Sequence, residues 1–401
     1  MAIVARILID MSQFSGWPAR TGIQRVLKEM LSYWPSHIVA ADIGVQVAEG
    51  YRVLPLGKVS GFLDRLFRGD IPDNSEAALK QAMSSFVDTA TDKSVSFDDL
   101  FNLYDGYFLP EPTFRDDVLS VLARWQKLRE ADSFVLLYDA LLQTNPEVYG
   151  APHQLATSRY FRLVARSENV ACISRATQQC LEQRLRRKPA PRSLVLDLGA
   201  DSLGGGRRRR VSQTPTFVMM GTVEPRKKQD IVLEAFDGLW NAGHDYRLII
   251  IGSAGWYETE FIQKLRGRAN EGKRLVWLET ARDEDISEAM GTATAAIYVS
   301  ELEGYGLPAV EALASGCPLI AAENLPALAG LPSKGQIRLS SVTAETVAAA
   351  VQHAATPSRS EKLSLELAEL ELPKWPQFAH SLAEWIGGTL EASRQSPSLT
   401  G

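Results

Sequence analysis

Two glutamates, Glu303 and Glu311, bracket the run Gly-Tyr-Gly-Leu-Pro-Ala-Val and lie directly after the apolar, β-branched stretch Thr294-Ala-Ala-Ile-Tyr-Val299. Glycines leave a strand, Pro308 suits the first turn of a helix, and Gly316 with Pro318 stops that helix before Leu319-Ile-Ala-Ala322 begins another strand. Strand, glycine loop, helix and strand make a βαβ unit, and open parallel sheets bind ligands at the carboxyl ends of their strands. The first amides of the helix have no intrahelical acceptor and carry partial positive charge, which suits a phosphate or a ring of sugar hydroxyls. Glu303 and Glu311 would flank such a ligand. Each residue alone also has a purely structural reading, because the helix dipole favours an early glutamate and glycines make turns.

A second charged loop, Gly221-Thr-Val-Glu-Pro-Arg-Lys-Lys228, lies between a strand and a helix expected to start near Gln229. Arginine offers a planar fork and lysine a point charge, so Arg226 and Lys227 could meet a diphosphate, while Lys228 could equally face solvent. Near the N-terminus, Asp10 to Val26 reads as strand end, loop and amphipathic helix, with Thr21 or Gly22 at the helix cap and Ile23, Val26, Leu27, Met30 and Leu31 on its apolar face. Asp139 ends the apolar run Phe134 to Tyr138, where a carboxylate serves either chemistry or turn capping.

These loops need sheets behind them. Strand candidates at Ile3 to Ile9, His37 to Ala41, Phe134 to Tyr138, Val170 to Ser174 and Ser193 to Leu196 alternate with helical patterns, which predicts a first α/β domain over residues 1–204. Residues 61–103, with mixed charge and a helical pattern from Glu76 to Phe86, read as an insertion in it. Leu203-Gly-Gly-Gly-Arg-Arg-Arg-Arg210 is a linker composition. The alternation restarts with strands at Thr216 to Gly221, Arg247 to Gly252, Leu275 to Leu278, Ala295 to Val299 and Pro318 to Ala322, a second doubly wound domain over 205–375. Pro373, Trp375 and Pro376 then punctuate the chain before an apolar helix from Phe378 to Ile386 within 376–392, and 393–401 is a polar tail.

The string from Tyr298 through Glu303 and Glu311 to Gly316 resembles the E-x7-E signature of retaining family 4 glycosyltransferases, among them bacterial polysaccharide mannosyl- and rhamnosyltransferases of O-antigen or capsule synthesis. The resemblance covers most of the second half and patches of the first. It implies the GT-B fold: two Rossmann-like doubly wound α/β domains facing a central cleft, an acceptor domain followed by a donor domain, with the C-terminal helix crossing back to the first. It also implies roles. Glu303 would contact the donor sugar and Glu311 the nucleotide ribose, while the amides of Gly304, Tyr305, Gly306 and Leu307 hold the sugar and diphosphate. In the loop opened by Gly221, Lys227 matches the phosphate lysine, and Arg226 would substitute for the family arginine where this chain has Thr222. Thr-Gly-Ile-x-Arg-Val resembles the glycine loop of the first domain, with Gly22 near the donor phosphate and Phe14 to Arg20 near the acceptor. Asp139 would lie close to the transferred sugar, and Ser174 matches a serine near the cleft. The resemblance implies a nucleoside diphosphate sugar as donor substrate, no cofactor and no metal, and a glycan or lipid-linked oligosaccharide acceptor. It further implies a cytoplasmic enzyme meeting the inner membrane or other assembly enzymes peripherally.

Composition excludes other classes. The chain has 401 residues, enough for two domains with their own cores, and a formal net charge of −5, which gives no argument for a nucleic-acid partner. Cys172, Cys180 and Cys317 are scattered in or beside apolar segments, as reduced thiols are. Asp283-Glu-Asp285 imitates a metal-binding D-x-D but stands where a helix start favours acids anyway. The basic runs Arg184 to Lys188 and Arg207 to Arg210 would suit anionic lipid or simply solvent. Neither half has G-x-G-x-x-G after its first strand, which disfavours a dinucleotide dehydrogenase. A nucleotide-sugar epimerase of the same fold and an inactive sugar-binding or scaffold protein remain as rivals.

Overall fold

A computed structural model describes residues 4–71, 75–90, 93–129, 132–145, 151–185, 192–203, 212–272 and 274–395, with only the backbone at 151–153. The linker run at 204–210, the end of the basic run at 186–188 and the tail beyond 395 lie outside the described residues. The chain forms two compact units, Met1–Leu198 with Trp375–Gly401, and Gly199–Lys374. The second unit thus begins before the linker at which the domain boundary was expected. Its first residues are tied into it: Ala200 N donates to Pro373 O at 2.9 Å, and the Ser202 hydroxyl donates to Glu311 at 2.5 Å.

The first unit holds an eight-stranded sheet in the order β4-β3-β2-β1-β5-β6-β7-β8. Its strands are β1 Ala5–Asp10, β2 Val39–Val47, β3 Gly50–Pro55, β4 Ser94–Ser96, β5 Gly106–Leu109, β6 Ser133–Leu137, β7 Asn169–Cys172 and β8 Arg192–Val195. The pairings of β2 with β3 and of β3 with β4 are antiparallel, and the other pairings are parallel. Runs such as Ser133–Leu137 are buried at every position, as a strand covered on both faces requires. Chain order departs in opposite directions from β1, to β2 on one side and to β5 on the other, so the switch point lies between β1 and β5.

The stretch 61–103 is woven into this sheet. The helix Leu56–Arg68 starts before it, the helix Glu76–Ala90 spans much of it, and β4 pairs with β3 at its far end. Phe62 and Phe86 stack at 4.4 Å between ring centroids, joining the two helices. β3, β4 and β5 escape sequence reading because three to six residues beside a hairpin or a turn carry too little periodicity.

The second unit holds the parallel order β11-β10-β9-β12-β13-β14: β9 Thr216–Met220, β10 Arg247–Ile251, β11 Leu275–Leu278, β12 Ala295–Tyr298, β13 Leu319–Ala322 and β14 Gln336–Leu339. Its switch point lies between β9 and β12. β14 was missed because Arg338 and Gln336 interrupt its apolar pattern at the sheet edge.

The last helix runs Trp375–Gln395, starting earlier than expected because Pro376 falls in its first turn, where no amide donor is needed. It belongs to the first unit. Trp385 meets Phe134 edge-on at 5.5 Å, Arg394 pairs with Asp105 at 2.5 Å, and Ile386 is fully buried. Ile386→Ala should therefore lower the stability of the first unit by about 2 to 5 kcal/mol, read as a shifted urea midpoint of that unit's transition. An unchanged midpoint would mean the helix lies outside that cooperative unit.

Candidate functional site

At the carboxyl ends of β9 and β12, the two charged loops of the second unit meet. Gly221 leaves β9 with φ of +130°, and a Cβ there would stand 2.4 Å from Lys227 Nζ. Only glycine lets the lysine fold back over the loop. Pro225–Lys227 make a short 3₁₀ turn, and Lys228 takes the left-handed conformation at φ of 60° before the helix Gln229–Asn241. The Gln229 side chain closes the loop, donating to Thr222 O at 3.0 Å and accepting from Glu224 N at 3.3 Å. Lys228 Nζ pairs with Glu301 at 2.5 Å, beside a pocket of about 460 Å³ that Ser300, Asn324 and Ser340 also line.

Arg226 is the hub. Its guanidinium meets Glu224 at 2.5 Å, Glu303 at 2.8 Å and the Leu302 carbonyl at 2.7 Å. Glu303 also accepts from the Tyr298 hydroxyl at 2.7 Å. Burial opposes ionisation of Glu303, but the Lys227 and Arg226 charges and the Tyr298 hydroxyl outweigh it and hold its carboxyl below the ordinary value. Glu224 goes the other way: burial raises it despite Arg226 and Lys227. Lys227, 8% exposed, is lowered by burial in spite of Glu303, and its ammonium sits 5.8 Å from the centre of the Tyr298 ring. Two cations and two carboxylates are packed where water is scarce. The structure brings Gly221, Arg226, Lys227 and Glu303 together; Glu224 and Tyr298, which complete the cluster, went unnoticed in the sequence.

Gly306 at φ of +102° caps the helix Leu307–Ala314, and Tyr305 O accepts from Ala327 N at 2.8 Å, which fixes the loop from Gly304 onward. Glu311 is 2% exposed and takes the Ser202 hydroxyl at 2.5 Å. Ser202 follows the last strand of the first unit by several residues, and nothing in its local sequence signals that role.

In the first unit, Thr21 caps the helix Gly22–Ser32, and the place where a Gly22 Cβ would stand has no atom within 4 Å. Asp139 accepts from Leu141 N at 3.0 Å, the turn-capping role, and Ser174 likewise caps Thr177 N at 3.0 Å. Two carboxylates passed over in the sequence lie at the switch point. Asp10 accepts from Tyr51 OH at 2.5 Å, Tyr107 OH at 2.7 Å and Ser12 N at 2.7 Å; burial first, then Asp10, drives both tyrosines well above their usual pKa. Glu111, 1% exposed, accepts from Gln24 at 3.2 Å, and burial pushes its carboxyl up to about 8. A charged residue between Pro110 and Pro112 at a strand end was the available signal.

Asp285 accepts from Arg282 N at 2.9 Å and from its guanidinium, so the D-x-D imitation caps a helix. Among the described residues no group of three His, Cys, Asp or Glu side chains is arranged to hold a metal ion, and no helix is long and apolar enough to cross a membrane.

The family model for glycosyl transferases group 1 matches residues 207–352, the span that holds both loops and the E-x7-E helix. The second unit carries a group 1 glycosyltransferase domain. Similar proteins include the serotype-specific mannosyltransferase WbdA of Escherichia coli, 40% identical over 110 residues, which are 27% of this chain and 14% of that relative. The O-antigen chain mannosyltransferase B of Escherichia coli is 32% identical over 114 residues, 28% of this chain and 30% of that one. The chain thus spans a small part of the curated relatives it matches. Among solved structures, Anabaena HepE in complex with UDP-glucose superposes with a TM-score of 0.60 at 14% identity, covering 96% of this chain and 99% of that one. WaaG, a glycosyltransferase involved in lipopolysaccharide biosynthesis, gives 0.59 at 13% identity, covering 96% and 100%. The fold is therefore the GT-B fold of these glycosyltransferases.

Within the glycosyltransferase domain, Arg226→Met should leave Glu224 and Glu303 buried without their shared cation. The expected loss is about 3 to 5 kcal/mol in urea at pH 7. Glu303 has a lowered pKa, so its contribution is present above the ordinary carboxylate value and disappears as pH falls below it. The gap between wild type and variant should accordingly narrow at pH 4; an equal gap at both pH values would show that Arg226 stabilises by packing alone.

Proposed function

We propose that the chain is a retaining, metal-independent glycosyltransferase of family 4 type that moves a sugar from a nucleoside diphosphate donor to a bacterial polysaccharide or lipid-linked glycan. The observation that carries this reading is the Arg226, Lys227 and Glu303 cluster beside the glycine-capped start of the helix Leu307–Ala314, at the switch point of a parallel sheet. The diphosphate would lie over the amides from Gly304 to Leu307, with Lys227 and Arg226 neutralising it, which is electrostatic catalysis supplied by side chains and a helix start. Glu303 would accept sugar hydroxyls, and Glu311 would exchange the Ser202 hydroxyl for those of the ribose. In the first unit, Gly22 and the loop Phe14 to Arg20 would face the phosphate and acceptor, and Asp139 would orient the acceptor hydroxyl. That oxygen bonds to the anomeric carbon as the bond to the diphosphate breaks, and its proton leaves on the departing phosphate. The mannosyltransferase relatives make mannose the first sugar to test, and a lipid-carried acceptor would bring the enzyme to the cytoplasmic face of the inner membrane.

Charge-assisted hydrogen bonds contribute about 1.5 to 3 kcal/mol, so Glu311→Ala should weaken nucleoside diphosphate binding roughly ten- to a hundredfold, while Glu303→Ala mainly removes turnover. Titration calorimetry and steady-state kinetics separate the two; unchanged values in both folded variants would sink the assignment. Lys227→Ala should weaken diphosphate binding and hardly touch the bare nucleoside, whereas equal losses would point to a base contact or misfolding. Transfer should survive excess EDTA and give a product that keeps the donor's anomeric configuration by NMR. Activity abolished by EDTA and restored by Mn²⁺, or an inverted product, would refute the corresponding half of the reading.

A further inference from the structure

Glu111 follows β5 at its carboxyl end, beside β1, which places it at the switch point of the first unit. Its carboxyl receives two donors from different elements: the Gln24 amide at 3.2 Å, from the first turn of the helix Gly22–Ser32, and the backbone N–H of Phe14, inside the helix Ser12–Gly16. Gln24 in turn accepts from the hydroxyl of Thr21, the cap of its helix. One side chain therefore holds both ends of the short connection Trp17 to Thr21. We propose that Glu111 is a positioning residue that ties these two helices together and so sets the loop between them. The proposal deepens the acceptor assignment of Phe14 to Arg20 and rests on that reading for its link to catalysis.

The electrostatics say which form of Glu111 does this. The groups that act on it are the neutral donors Gln24 and Phe14 N–H and the carboxylate of Asp10, facing it from β1. The Tyr138 hydroxyl faces it from the end of β6. Asp10 is already occupied by two tyrosine hydroxyls and the Ser12 amide. The buried Glu111 Oε2 has no hydrogen-bond partner. Among the described residues no cation is among the groups that shift it, so a second negative charge there would oppose Asp10, whereas a proton on Oε2 leaves the other oxygen free to accept. The Gln24 and Phe14 donors favour the ionised form, but burial, with Asp10, outweighs them and pushes the carboxyl up to about 8. The native state then holds a proton that the unfolded chain releases near the ordinary value of 4.5. Stability is full below that value, falls as pH rises from there to about 8, and is level above it.

The test is amide hydrogen exchange of peptides covering residues 14–24, corrected for intrinsic rates, at pH 6 and pH 9 in the wild type, Glu111→Gln and Glu111→Leu. Glutamine imitates the neutral acid. Wild-type protection should drop about tenfold between the two pH values, while Glu111→Gln stays protected at both and Glu111→Leu at neither. Identical protection in all three chains, or the same pH-dependent drop in Glu111→Gln, overturns the proposal. If the leucine variant does not fold, the contrast between wild type and glutamine decides alone. Acceptor KM is measured in parallel with kcat. A KM that rises at pH 9 in the wild type and not in Glu111→Gln links the loop to the acceptor. Loop exchange that responds while KM does not would keep the positioning role and remove the acceptor reading of the loop.

Discussion

The second unit depends on one buried guanidinium. Arg226 lies between Glu224, from its own loop, and Glu303, from the loop after β12, and it also takes the Leu302 carbonyl. Loops joined this way come from strands that are neighbours in the sheet and distant in the chain, so the ion cluster closes the switch-point crevice as a single object. Burying four charges costs several kcal/mol each before they are paired, and the geometry recovers this only if every member stays. Gly221 is part of the same constraint: its missing side chain is the space that Lys227 occupies.

That constraint bears on the anion site proposed here. The Lys227 ammonium lies 4.0 Å from Glu224 and over the Tyr298 face, while Arg226 takes the closer contacts to both carboxylates. Lys227 is thus the less committed cation, and its lowered pKa reflects a desolvated charge that a further anion would stabilise. Under the proposed function, Arg226 would meet a phosphate only by sharing or exchanging one of the carboxylates it holds, Glu224 or Glu303.

Much of this was legible in the chain, and the part that was not has a physical reason. Strand, glycine loop and helix around Glu303 to Glu311 could be read because glycine, proline and apolar periodicity are local signals. The loop from Gly221 to Lys228 could be read by charge and place. Glu224 was passed over because a glutamate beside basic residues looks like surface charge until Glu303 arrives from β12. Ser202 could not be foreseen, since its contact with Glu311 is set by how the chain enters the second unit. Asp139 was read as serving either chemistry or turn capping, and the structure gives it a capping hydrogen bond from Leu141 N. Asp10 and Glu111 were hidden for the converse reason: their partners Tyr51, Tyr107 and Gln24 lie on other elements.

The two units solve the same problem in different ways. Each brings carboxylates to the carboxyl end of its sheet at the switch point, where burial penalises charge. The second unit compensates with cations, which keeps Glu303 ionised. The first compensates with hydroxyls and amides, so Asp10 is satisfied by tyrosines while Glu111 escapes the penalty by holding its proton. One carboxylate among neutral donors and a protonated acid would give a diphosphate little to bind, and would suit the acceptor role proposed for the loop Phe14 to Arg20. The division of labour proposed for the units would match how each one pays for its buried carboxylates.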